Sequence, residues 1–302
     1  MNTQLTEEYN HIRSGGAGIF EQKRGLIAVW GKEAIQFLDG LISNDMKTLE
    51  DGGQMLAAFP NAQGRLLAVV RVLRQGDRFL FESEEATQEK VFQNLLRFTF
   101  AGDFFVEDLS ENYHYFETYG DMLVPPAVAG GVFYTTAATT GRFIENDLND
   151  NFIFSHRTAN GVGISDDLHE ILRIENGIPK YGVDMDETTI VPELGIDGLI
   201  SYDKGCYIGQ EIIARIHFRG HVAKQLTGLR LSVAPASAGA LIGTDLTSPD
   251  GKNAGRITSV TFSPKLNKTI ALGYVRYDYL AEGTELKAAD TTVTVTNLSF
   301  IK

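Results

Sequence analysis

Helical periodicity stops at about Lys224. Beyond it the apolar runs are short and strand-like, at 226–231, 255–261, 270–277 and 293–300, and Gly, Pro, Asp and Asn separate them. A segment of this kind has no helix to lay over a sheet. It must bury its apolar face by closing the sheet on itself or by doubling it. Residues 224–302 are therefore expected to form a small β barrel or sandwich, and residues 1–223 a domain of different character.

In that first part, strand and helix patterns alternate. Residues 26–30 read as a buried strand ended by Gly31, and 32–43 carry Ala34, Ile35, Leu38, Leu41 and Ile42 on one helical stripe. Strands are expected at 55–59, 66–73 and 79–82, joined by Pro60-Asn-Ala-Gln-Gly64 and Gln75-Gly-Asp77. The spacing predicts a helix over 87–98, with Val91, Leu95 and Phe98 inward, then strands at 104–107, 113–118, 132–136 and 152–155. A third helix follows Ser165, with Asp166 and Asp167 in its first turn and Leu168, Ile171 and Leu172 as its stripe; Gly177 and Pro179 end it. The order implies an α+β domain with a largely antiparallel sheet.

Composition narrows the function classes. With 43% hydrophobic residues in 302, there is material for two cores. The formal charge of −12 repels phosphate backbones and anionic lipids, so no direct nucleic-acid or membrane partner is expected. Cys206 is the single cysteine, which excludes an internal disulfide and any cysteine-built cluster or zinc site from this chain alone. The first ten residues fit neither a secretory signal nor a transit peptide, and a reducing, cytoplasmic setting is expected. Ser14-Gly-Gly-Ala-Gly18 precedes the first strand and lacks nucleotide-binding spacing.

Three motifs carry chemistry. In Lys204-Gly-Cys-Tyr-Ile-Gly-Gln-Glu211, a cysteine on a glycine turn beside a lysine reads equally as a reactive thiol or as a small buried hydrophobe. In Arg215-Ile-His-Phe-Arg-Gly-His221, cationic residues alternate; an extended segment would put Arg215, His217, Arg219 and His221 on one face, as an anion site or a solvated edge. In Leu172-Arg-Ile-Glu-Asn-Gly-Ile-Pro179, Glu175 ends a helix; spacing alone makes it an ordinary exposed glutamate, although a carboxylate there suits an amidine-like ring edge.

Together these residues resemble the YgfZ branch of the aminomethyltransferase superfamily, related to glycine-cleavage T-protein. The resemblance also takes in Phe37-Leu-Asp-Gly-Leu-Ile-Ser-Asn-Asp45 and Phe59-Pro-Asn-Ala-Gln-Gly-Arg65, and so nearly the whole chain. It implies a folate-binding domain around a central cavity, followed by a C-terminal β barrel. It implies that Glu175 holds the pterin of tetrahydrofolate, with Arg173 and Asn44 as further cofactor contacts in the matching motifs. Arg215 and Arg219 are then the candidates for the folate glutamate tail. Cys206, with Lys204 beside it, matches the cysteine of this branch, which is associated with maintaining iron–sulfur enzymes, a tRNA-modifying one included. Its clients are transient protein partners.

T-protein-like transferases carry an aspartate pair after the glycine that aligns with Gly64. Here the stretch is Arg65-Leu-Leu-Ala-Val-Val70, with no acid, so glycine cleavage is not expected. The leading expectation is a folate-dependent accessory factor for iron–sulfur enzymes. The alternatives are a folate-dependent one-carbon transferase or demethylase on a small amine, and a non-catalytic folate-binding adaptor.

Overall fold

The computed structural model describes residues 3–97, 99–100, 102–120, 131–234 and 239–301; Phe98, expected on the inner face of a helix, lies outside them. The chain opens with α1 (Thr3–Arg13), β1 (Gly18–Gln22), β2 (Arg24–Trp30) and α2 (Ala34–Leu41). Next come β3 (Gln54–Pro60), β4 (Leu66–Gln75), β5 (Arg78–Glu84), α3 (Glu85–Leu96) and β6 (Phe105–Asp108). Then follow β7 (Tyr113–Tyr119), β8 (Val132–Thr135), β9 (Thr140–Glu145), α4 (Asn149–Thr158), β10 (Val162–Gly163), α5 (Asp166–Glu175) and α6 (Gln210–Arg219). The strands that follow are β11 (Lys224–Leu231), β12 (Asp245–Thr247), β13 (Asn253–Ser263), β14 (Lys268–Arg276), β15 (Glu285–Ala288) and β16 (Thr291–Thr296). No described helix is long and apolar enough to cross a membrane.

Two compact units interleave along the chain. The first holds residues 1–37, 46–56 and 70–169; the second holds 38–45, 57–69 and 170–302. Two five-stranded sheets run in the orders β10-β1-β7-β9-β8 and β3-β4-β5-β2-β6. β1 pairs with β10 in parallel, whereas β1 with β7, β7 with β9, β8 with β9, β2 with β5, β2 with β6 and β4 with β5 pair antiparallel. In the first unit, Leu26, Ala28, Leu73 and Leu80 of one sheet pack against Tyr115, Val132, Tyr134 and Phe143 of the other. Alternation along each strand puts these residues on one face, and burying that face joins the sheets.

One predicted strand is a helix. Residues 152–155 lie in α4, where Phe152 is buried against Phe116 at 4.9 Å between ring centroids. His156, one turn on, is also buried and meets the Val162 carbonyl at 3.1 Å. The Phe-Ile-Phe run is too short for its periodicity to choose, and the buried i, i+4 pair decides for helix. The predicted third helix is α5, and its Ser165 hydroxyl accepts a hydrogen bond from the Leu168 N–H at 3.3 Å.

In the second unit, β11-β14-β13-β12-β15-β16 close into a barrel. Leu229, Leu246, Ile257, Val275, Leu286 and Val293 are among the side chains filling it. The barrel opens at Lys224, where the helical pattern ends.

Candidate functional site

Glu175 is the last residue of α5, and it is fully buried, not exposed as its spacing alone predicts. The barrel explains the difference. The Ser263 hydroxyl at the end of β13 donates to the Glu175 carboxylate, and the Phe300 N–H donates to the Glu175 carbonyl at 3.0 Å. Gly177, two residues on, has φ +69°, and a Cβ there would stand 2.2 Å from the Leu298 carbonyl oxygen. Only glycine lets the helix end this close to the chain that follows the barrel. The carboxylate is thereby held by the backbone and by a hydroxyl.

Arg173 sits beneath this arrangement and is buried. Its Nε donates to Glu170 Oε2 at 2.9 Å and its Nη2 to Glu170 Oε1 at 2.6 Å and Ser259 Oγ at 2.9 Å. Its Nη1 donates to Asp184 Oδ2 at 2.7 Å and to the Ile178 carbonyl at 2.5 Å. A guanidinium has five N–H groups, so all are engaged within the protein. Burial works against the charge, but the Glu170 hydrogen bonds and Asp184 outweigh it and raise the Arg173 pKa. Asp184 Oδ1 in turn accepts from Thr258 Oγ1 at 2.5 Å and Ser259 Oγ at 2.7 Å. The network ties α5 to the barrel and fixes the helix that carries Glu175.

Lys204 is buried as well. Its ammonium donates to the carbonyl oxygens of Asp39 at 2.7 Å, Ile42 at 2.9 Å and Asn44 at 2.6 Å, and Asp39 Oδ1 lies 3.2 Å away. These carbonyls lie at and just beyond the end of α2, where helical partners run out and the dipole favours a cation. Lys204 is therefore a cap for α2, with its three hydrogens spent on carbonyls. The same contacts bring it to Asn44, whose side-chain amide donates to the Gly198 carbonyl at 2.8 Å.

Cys206 follows two residues later and is exposed. Its loop is pinned on the far side by Gly209, which has φ +80° and whose Cβ would meet the Asn61 carbonyl at 2.4 Å and Gly64 Cα at 3.2 Å. Gly64 has φ +70° and faces Ile212 and Ile213. Two glycines back to back thus let the 60–64 turn dock on the start of α6. Residues 210–219 are helical, which replaces the extended alternative for the cationic run. Arg215 and Arg219, both exposed, share a face at i, i+4. His217 lies off that face, stacked on Tyr202 at 3.6 Å, and His221 stacks on Tyr277 at 3.7 Å.

Residues 1–121 match the GCVT N-terminal domain, and residues 224–301 match the glycine cleavage T-protein C-terminal barrel domain. The chain belongs to the glycine-cleavage T-protein superfamily. The solved aminomethyltransferase T of the Bartonella henselae glycine cleavage system shares the superfamily fold with it, at TM-score 0.84 and 19% identity over 98% of this chain and 89% of that one. The aminomethyltransferase of Bdellovibrio bacteriovorus is 26% identical over 314 residues, 93% of this chain and 85% of that protein. A mitochondrial iron-sulfur cluster assembly factor IBA57 homologue of Mycosarcoma maydis is 28% identical over 230 residues, 70% of this chain. The match spans 56% of that relative's length.

Several residues that build this arrangement escape the sequence reading. Asp184, Ser259 and Ser263 hold Arg173 and Glu175 from 11 to 88 positions away, Thr258 holds Asp184, and nothing in their local pattern marks them. Asp184 could have been flagged as an acid within the apolar surroundings of Tyr181 and Met185, both buried.

Proposed function

We propose that this protein binds tetrahydrofolate and supports the assembly or repair of iron–sulfur enzymes. The observation that carries the reading is the exposed Cys206 thiol, held on a loop that Lys204 anchors and Gly209 pins. A thiol presented this way suits transient chemistry on a client protein. The likeness to the cluster assembly factor of Mycosarcoma maydis supports it. In this reading, residues 1–223 form the folate-binding part and 224–302 the barrel. The setting is cytoplasmic, and the clients include tRNA-modifying enzymes of the YgfZ branch's kind.

The residues fit the cofactor. Glu175 offers a buried carboxylate held by Ser263, which suits the donor edge of a pterin. Bound tetrahydrofolate would supply one-carbon chemistry. Arg173 positions Glu175, Arg215 and Arg219 take the anionic tail, and Asn44 lies on the chain segment that Lys204 holds.

A second reading, a one-carbon transferase or demethylase on a small amine, draws on the match to aminomethyltransferases over 93% of the chain. The missing acid at 65–70 weighs against it. The test is activity of iron–sulfur enzymes in a deletion strain. The Cys206→Ala protein is expected to fold and bind folate yet fail to restore that activity. Full rescue by the stable variant would remove the thiol from the function and leave a folate-binding adaptor.

A further inference from the structure

Among the described residues of the first unit, the buried Nε atoms of Arg24, Arg71 and Arg142 lack an aligned hydrogen bond, and Arg24 and Arg71 stand on one sheet face. On the sheet face that packs against β7 and β8, Arg71 and Leu26 flank Glu82 in register, and Arg24 stands one alternation from Leu26. Arg24 lies over the Tyr115 ring at 5.6 Å, and Arg71 over the Tyr134 ring at 4.4 Å. The two phenols are buried and joined by a 2.7 Å hydrogen bond. Gly141 makes room for them, since a Cβ there would stand 2.3 Å from Tyr134 Cζ and 2.7 Å from the Tyr115 hydroxyl.

The partners fall short of the donors. Arg24 Nε is 2.6 Å from Glu82 Oε1, yet neither atom has an aligned hydrogen bond, so the contact is one of charge alone. Arg71 Nη1 reaches only Gln54 Oε1, at 3.3 Å, and its buried Nε has no acceptor among the described residues. The tyrosine pair uses one hydroxyl hydrogen on itself and keeps the other. Burial and then Glu82 raise the Tyr134 pKa to about 12, and burial raises that of Tyr115, so both phenols are neutral donors. Glu84 faces Arg24 in register on the same face as Glu82, so with Arg24 and Arg71 against Glu82 and Glu84 the formal sum is 2 − 2 = 0. Unmet guanidinium donors beside a buried pair of phenols are costly without an acceptor, even where the formal charges balance.

We infer that Arg24, Arg71 and the Tyr115–Tyr134 pair form a binding site for a compact oxyanion, a carboxylate or a phosphoryl group. A planar guanidinium presents the paired N–H groups such an anion accepts, and the free phenol hydrogen adds a further donor. The site goes beyond the tetrahydrofolate reading, and failure of either leaves the other standing.

The test follows the Nε–H signals of Arg24 and Arg71 in proton–nitrogen spectra of the full chain, titrated with inorganic phosphate and, separately, with acetate. Sodium chloride is the control. Both signals are expected to shift and saturate with phosphate, acetate or both, at constant ionic strength. A response to phosphate alone assigns a phosphoryl ligand, and one to acetate alone a carboxylate. Arg71→Lys keeps the charge but loses the fork, and should weaken binding about tenfold. Tyr134→Phe, which removes a phenol donor, should weaken it by a smaller factor. Silent signals, an equal response to chloride, or unchanged affinity in both variants would overturn the site.

Discussion

Single residues divide here into those proposed to meet a ligand and those that hold others in place. Glu175→Gln keeps the shape of the side chain and an acceptor for Ser263 but removes the charge. A charge-assisted contact of about 1.5–3 kcal/mol is lost, so tetrahydrofolate should bind roughly ten- to a hundredfold more weakly in calorimetry. Equal affinities would remove the pterin from Glu175. Lys204 and Cys206, two positions apart, should respond in opposite ways. Lys204→Met strips a donor from three carbonyls at the end of α2 and leaves Asp39 beside an apolar chain, which should cost at least about 2 kcal/mol in urea unfolding. Cys206→Ser exchanges an exposed thiol for a hydroxyl and should leave the melting temperature nearly unchanged, while the wild-type thiol alkylates at the rate of an exposed cysteine. A motif read as one functional string, Lys204 to Glu211, thus holds a structural cap and an accessible thiol side by side. The sequence pattern marks both as special, but the division of labour depends on α2, which is 160 or more positions away.

At the scale of elements, the contact between the 60–64 turn and α6 is the most sensitive to a small change. Gly209→Ala would meet the Asn61 carbonyl and force φ +80° on a residue with a Cβ, at a cost of about 1–3 kcal/mol and a loosened Cys206 loop. Urea unfolding measures the cost, and a faster Cys206 alkylation rate would report the loosening; wild-type values for both would show that the turn yields. β4 and α5 were legible because one face of each is buried throughout, and β2 and β14 because nearly every residue is buried, which reads as a continuous apolar run. Others were not. β12 spans three residues and β15 four, too few for alternation to register. α1 buries only Tyr9 and Ile12, one turn apart, so its stripe is nearly invisible against its polar residues. The motifs around Glu175 and Cys206 were legible because each is local, although spacing alone made Glu175 an exposed side chain. The Arg173–Asp184–Ser259 network and the Arg24–Arg71 cluster were not, because each is assembled across strands.

For the molecule as a whole, the charge of −12 opposes any polyanion, so a preference for one must come from a local feature. Arg215 and Arg219 on one exposed face of α6 are such a feature. Polyglutamylated tetrahydrofolate should bind more tightly than the monoglutamate, the more so at low salt, and Arg219→Ala should reduce the gap. Affinity independent of tail length in the wild type would make the two arginines a solvated face.

The interleaving of the two units also bears on how the chain is made. The carbonyls of Asp39, Ile42 and Asn44 leave the ribosome at least 160 residues before the lysine that satisfies them. At about 5–20 residues per second, that gap lasts on the order of ten seconds or more. Residues 38–45 and 57–69 wait longer still, since the barrel of their unit closes only when β16 pairs with β11. The second unit therefore cannot fold progressively from its N-terminus, and its earliest pieces stay open to chaperones and proteases until β16 has been made.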